Sequence, residues 1–253
     1  MANLRFLDCE IPFASTTTAV TNTADTSYPL TNLFGGSRMD MFRLATAASG
    51  DTRISFDVGG STPINTIFLS KAILLKYDYV DTITIKAHSA DSYGAASTIR
   101  TISSFTSKTL TGSYAEDYIE NFTTSSSYRY WWVNYNATSA SKVQHSKLFF
   151  GAAVDPGADP DTFSYQRLTN SQYQRKPFYR YTIGWKKLPY ATAMSLMTRF
   201  GKPREYNGVV MFTTSDHTLL NNNTSVYGRV LSFSAPLVET GYNDVSMVVE
   251  EIV

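Results

Sequence analysis

Apolar and polar residues alternate along much of this chain with a period of two. Residues 53–58 (Arg-Ile-Ser-Phe-Asp-Val) put Ile54, Phe56 and Val58 on one face, the pattern of a half-buried β-strand. Gly59 and Gly60 follow as a turn. Similar runs at 64–69, 81–86 and 128–135 predict three more strands, and 143–150 predicts a closing one. Ser/Thr-rich stretches such as 103–112 and 123–127 lie between them. Short strands separated by turn signals predict an antiparallel sandwich.

The pattern changes beyond residue 162. Residues 178–185 alternate and predict a strand, and 188–201 predict a helix. Pro189 suits the first helical turn, where its missing N–H is unpaired anyway. Ala193, Leu196, Met197 and Phe200 recur at helical spacing on one face. Gly201 and Pro203 give a stop signal. Strand-like runs follow at 208–213, 225–233 and 244–253. Strand, helix, then strands implies an α+β sandwich with one helix lying across it. The segment 151–161 is rich in Gly, Ala, Pro and Asp and has no aromatic residue, which marks a linker. The expected fold class is therefore mainly β, with a sandwich over 1–152 and a second domain over 163–253. A chain of 253 residues fits one large or two ordinary domains, and no internal repeat of 20 to 50 residues is visible.

Composition narrows the function classes. Ser and Thr make up 59 of 253 residues, 17% are charged and 14% aromatic, which excludes a disordered chain and a helical bundle. A net charge of +1 leaves no electrostatic footprint for nucleic acid. Cys9, the single cysteine, allows no internal disulfide and no cysteine zinc site. Asp8 and Glu10 beside it disfavour the thiolate, so a structural cysteine is expected. The longest apolar candidate, 64–75, is broken by polar residues and falls short of the roughly 20 residues that span a bilayer. The N-terminus carries acids and no cationic segment followed by an apolar core, so synthesis in a cytoplasm without a secretory signal is expected.

Catalytic constellations are scarce. His88, His145 and His217 have neither metal-ligand spacing nor a neighbouring nucleophile motif. Asp216-His217 reads as a solvated loop. Asp155, Asp159 and Asp161 do not follow the calcium-loop pattern and read as linker. Glu116-Asp117 and Glu250-Glu251 are strand neighbours that point to opposite faces, so neither makes an acid–base dyad. No catalytic residue, metal site or cofactor is expected. The most aromatic stretch is 128–135. Tyr128, Tyr130, Trp132 and Asn134 share one face, and Arg129, Trp131, Val133 and Tyr135 the other. At least one face must be core, and Tyr130 and Trp132 are the candidates for a sugar-stacking or partner-binding surface. Arg175, Lys176, Arg180, Lys186 and Lys187, interleaved with Tyr165, Tyr173, Phe178 and Tyr179, read as a solvated or subunit-facing strip rather than a nucleic-acid site.

Two family resemblances emerge from these runs. The segment Ser-Tyr-Pro-Leu-Thr-Asn-Leu-Phe-Gly-Gly-Ser-Arg at 27–38, then 42–44, 53–59 and 64–69, resembles the discoidin (galactose-binding-like) jelly roll as it occurs in phage tail proteins. Gly35-Gly36 replaces the usual Asp-Gly, Phe42 stands where Trp is common, and Ser70-Lys71 replaces a frequent His-Asn. The runs at 179–185, 208–213, 226–230 and 244–252 resemble the tail-tube-like domain of phage distal tail and minor tail proteins. That resemblance implies a non-enzymatic virion part made in the host cytoplasm, a homohexameric ring at the tail tip. Its partners would be the tail tube, hub and fibre proteins, with DNA only passing through the lumen and no membrane. Ring contacts are expected from 178–185, 214–224 and 225–233, with Tyr179, Tyr181, Trp185, Tyr227 and Arg229 at the interface. The alternative is a carbohydrate-binding receptor module.

Overall fold

A computed structural model describes residues 4–8, 18–34, 39–46, 48–108, 117–124, 126–168, 178–201, 208–213 and 225–252. In chain order the elements begin with β1 (Leu4–Asp8), β2 (Thr18–Val20), β3 (Phe42–Arg43), β4 (Ala48–Thr62), β5 (Thr66–Leu69) and α1 (Ile73–Tyr77). Then come β6 (Val80–His88), β7 (Ser97–Ile102), β8 (Tyr118–Asn121), β9 (Tyr128–Ser141), β10 (Gln144–His145) and β11 (Leu148–Gly151). The remainder comprises β12 (Thr162–Leu168), β13 (Phe178–Pro189), α2 (Tyr190–Phe200), β14 (Gly208–Thr213), β15 (Ser225–Ser234), β16 (Leu237–Glu239) and β17 (Tyr242–Glu251). The protein is mainly β, and every ladder among the described residues is antiparallel.

One compact unit runs to Ala152 and holds a five-stranded sheet, β2-β4-β9-β6-β7, and a three-stranded sheet, β11-β5-β8. Alternation decides which side chains meet between them. Ile54 and Phe56 from β4, Ile83 and Ile85 from β6, and Trp131, Val133 and Tyr135 from β9 share one core with Ile67, Leu69, Leu148 and Phe150. The Phe56 and Phe150 rings meet edge to face at 4.6 Å and join the two sheets. This is the antiparallel sandwich that the alternation predicts. The expected closing strand at 143–150 is two strands, β10 and β11, broken where Ser146 and Lys147 turn their polar groups to the backbone of neighbouring loops.

The second unit contains Leu4–Asp8 together with the chain from Ala153 onward. Its seven-stranded sheet runs β1-β14-β15-β17-β13-β12, with β16 added on β17. This differs from a domain spanning 1–152. The first strand pairs with β14, Leu4 opposite Thr213 and Asp8 opposite Val209. Phe6 packs its ring 5.9 Å from both Trp185 and Phe200, inside the core of the second unit. The sandwich is thus inserted, along the chain, between the first strand of the other unit and its remaining strands. The predicted helix forms as α2 and buries Ala193, Leu196 and Phe200, while Met197 is exposed. Pro189 stands at the cap position before α2 rather than in its first turn. The supposed linker continues into β12, a strand not expected from the sequence.

Candidate ligand-binding face

The outer face of the five-stranded sheet follows from the register of three strands. Ser55 and Lys86 flank Trp132, Arg53 and Thr84 flank Asn134, and Asp57 and His88 flank Tyr130. Directly opposed side chains on one face of a sheet lie within contact range, so these nine residues form three rows. Over Trp132, Arg53 and Lys86 lies Tyr93, carried on the short turn between β6 and β7. Its ring stands edge-on to Trp132 at 5.8 Å. The Arg53 guanidinium lies 4.0 Å from the Tyr93 ring centre and the Lys86 ammonium 4.5 Å from it.

That cover changes the role of Trp132. It faces outward as the alternation predicts, but it is only 4% exposed, so it is not a free stacking surface. Tyr93, which sequence reasoning missed, is half-buried and is the ring that covers it. Tyr130 is also half-buried, with the Arg129 guanidinium 5.0 Å from its ring centre. Arg129 grips both oxygens of Asp57 at 2.8 Å, and that bond holds the Asp57 carboxyl below the usual range. Asn134 is 5% exposed, and its buried Oδ1 has no hydrogen-bond partner among the described residues.

On the core side of the sandwich sits a buried polar group of residues. The Tyr135 hydroxyl lies 3.0 Å from His145 Nε2. Burial pushes the His145 imidazole down to about 3. Lys147 is fully buried and its Nζ donates to the Asn32 carbonyl at 2.5 Å. Burial lowers its ammonium to about 8, with Asp40 acting in the opposite direction. Asn32 in turn donates to the Met41 carbonyl, and Ser146 to that of Asp40. These bonds hold residues 32 and 40–41 against the turn between β10 and β11, a structural task.

In the second unit, the expected interface residues separate by face. Tyr181 and Trp185 point inward and are core, and Tyr227 is also buried, so none of the three is an exposed surface residue. The reason is again alternation: Tyr181, Ile183 and Trp185 take the inner face of β13, and Arg180 and Thr182 the outer one. Tyr179 is half-buried. Arg229 is exposed but bonded: Glu250, between Arg229 and Arg180 in register, accepts from Arg229 at 2.5 Å and from Arg180 at 2.6 Å. Although burial pushes the Glu250 carboxyl up, these two arginines bring it below its ordinary value. The edge strand β12 leaves Tyr165 63% exposed, its ring 5.8 Å from Tyr179.

The remaining candidates are dispersed. Asp155 pairs with Arg5, and Asp161 accepts from the Lys186 amide, so the acidic segment is tied to its own unit. Among the described residues no three His, Cys, Asp or Glu side chains come together as a metal site. No described helix is long and apolar enough to cross a membrane. Cys9, Glu10, Gly35, Gly36, Glu116, Tyr173, Arg175, Lys176, Pro203, Asp216, His217 and the expected contact loop 214–224 lie outside the described residues.

No family model matches the chain, and no curated protein matches it. Similar solved structures include a Ruminococcus gnavus GH29 fucosidase bound to fucose, at 11% identity over 57% of this chain, TM-score 0.45. The match spans about a quarter of that enzyme, 26% of its length. CBM32-1 from a family 31 glycoside hydrolase of Clostridium perfringens is similar at 12% identity, covering 56% of this chain and 97% of the module, TM-score 0.42. A chitosan-binding module from a chitosanase/glucanase of Paenibacillus sp. IK-5 is similar at 16% identity, covering 58% of this chain and 99% of the module, TM-score 0.42.

Proposed function

We propose that this protein works by binding rather than catalysis, and that the outer face of its five-stranded sheet is a saccharide-binding surface. The observation that carries this reading is the Tyr93 ring seated on Trp132, on a sheet face that also holds Tyr130, Ser55, Thr84 and Asn134. Aromatic faces take the apolar face of a sugar ring, and the surrounding hydroxyl and amide groups can orient its hydroxyls. A glycan array probed with the intact chain tests it. Binding that is lost in Tyr93→Ala and Tyr130→Ala, with both variants still folded, is expected. A wild-type chain that retains no glycan would sink the reading.

A second reading, a ring subunit of a phage tail tip, is favoured by the β12 edge. This strand pairs only with β13 among the described residues and exposes Tyr165, and open strand edges are surfaces that monomers usually blunt. In that arrangement β12 joins the sheet of a neighbouring copy. Sedimentation velocity across a concentration series should show association that Tyr165→Lys abolishes. A chain that stays monomeric at high concentration rules out this use of the edge.

A further inference from the structure

The two cations beside Tyr93 differ from Arg129, whose side chain reaches Asp57. Arg129 is bonded to Asp57, whereas Arg53 and Lys86 make no ion pair among the described residues. The acids nearest in register are already engaged: Asp57 holds Arg129, and Asp51 accepts from Asn136. Arg53 and Lys86 instead approach one aromatic ring from strands on either side of β9. Under them, Asn134 keeps a buried oxygen without a donor among the described residues, a state that costs free energy unless a ligand or water supplies one.

We propose that Arg53, Lys86 and Asn134 form a subsite for an acidic saccharide, a sugar bearing a carboxylate or sulfate group, at the rim of Tyr93. The proposal rests on the saccharide reading above and adds charge selection to it. The guanidinium offers a planar pair of donors to an oxyanion, and the ammonium a second point charge. When Arg53 turns from the Tyr93 ring to the anion, it leaves its cross-strand neighbour Asn134, whose Oδ1 then accepts from a sugar hydroxyl. The part of the Tyr93 ring that Arg53 uncovers then stacks on the sugar.

The test uses the full chain and three probes: a hexuronate-terminated oligosaccharide, its 6-sulfated hexose counterpart and the neutral hexose form. Isothermal titration should show at least one acidic probe bound about tenfold more tightly than the neutral one, the size of a charge-assisted bond. The tighter of the two acidic probes identifies the anion. The preference should shrink as salt is raised. Arg53→Gln and Lys86→Gln should each reduce it, and Arg53→Lys should retain part of it. Equal affinity for all three probes, or a preference that survives in the Arg53→Gln/Lys86→Gln double variant, overturns the charged subsite and leaves neutral saccharide binding standing. Failure of all three probes to bind at any salt overturns both.

Discussion

Tyr135 Oη lies 3.0 Å from His145 Nε2, and neither side chain reaches solvent. A neutral imidazole accepts from the phenol, whereas a protonated one cannot. Burial holds the His145 pKa at about 3, while in the unfolded chain it is near 6.5. Between those values the unfolded chain takes up a proton that the folded chain refuses. The resulting stability is complete above pH 6.5 and is lost progressively as pH falls toward 3. Urea unfolding of the sandwich, followed from pH 7 to about 5, should show a falling midpoint, and His145→Gln should flatten that slope. A wild-type midpoint constant over this window would contradict the assignment. Tyr135→Phe keeps the shape but removes the donor, and should destabilise by about 1–3 kcal/mol.

Lys147 gives a slope at the other end of the scale. Its folded pKa of about 8 lies below the unfolded 10.5, so the unfolded chain is the better proton binder between them. Stability should rise as pH increases from 8 toward 10.5. Lys147→Met removes the titrating group, and its denaturant midpoint should vary less from pH 8 to about 9.5 than that of the wild type. Equal slopes for the two proteins would show that Lys147 does not titrate in this range.

Gly228 lies on β15 against the backbone of β17. A Cβ at this position would lie 2.6 Å from the Glu250 carbonyl oxygen, a backbone atom that cannot move without disturbing the ladder. Gly228→Ala should therefore destabilise the second unit by about 1–3 kcal/mol. Gly60 serves as the control, because an added Cβ there would meet nothing within 4 Å. Gly60→Ala should change stability by less than about 1 kcal/mol. Equal effects at the two positions would remove the steric explanation.

Neighbouring aromatics on β9 should behave differently. Trp131 is fully buried against Tyr128 and Phe150, so Trp131→Ala should cost about 3–5 kcal/mol. Tyr130 is only half-buried on the outer face, and Tyr130→Ala should cost less than about 1 kcal/mol. Guanidinium denaturation of the two variants compares them directly. Similar losses would mean that the outer face is packed as tightly as the core.

Much of the sandwich could be read from residue order. The alternation at 53–58 marked β4 and put Ile54, Phe56 and Val58 on one face, of which Ile54 and Phe56 are core and Val58 is partly buried, and the run at 81–86 marked β6. The helical spacing of Ala193, Leu196 and Phe200, with Gly201 after them, located α2. The short edge strands β1 and β12 escaped notice. Leu4–Asp8 looks like an ordinary terminus until Phe6 is seen between Trp185 and Phe200. Thr162–Leu168 carries few apolar residues because one side of an edge strand stays wet. Tyr93 gave no signal either: a lone tyrosine on a Ser/Gly-rich turn is unremarkable until Trp132, Arg53 and Lys86 surround it.

Local periodicity can tell which residues of a strand share a face, since successive side chains alternate whatever the strand pairs with. Trp132 and Asn134 were bound to share a face for that reason. Periodicity cannot tell what covers the face, which distant strand completes a sheet, or whether a buried charge meets a carbonyl. Those outcomes depend on atoms far apart in the chain: Tyr93 over Trp132, β1 on β14, Lys147 against Asn32. Burial turned Tyr181, Trp185 and Tyr227 from surface candidates into interior residues. Tertiary packing also brought Arg53 and Lys86 to one half-buried ring, because only the pairing of β4 and β6 with β9 sets them on either side of that strand.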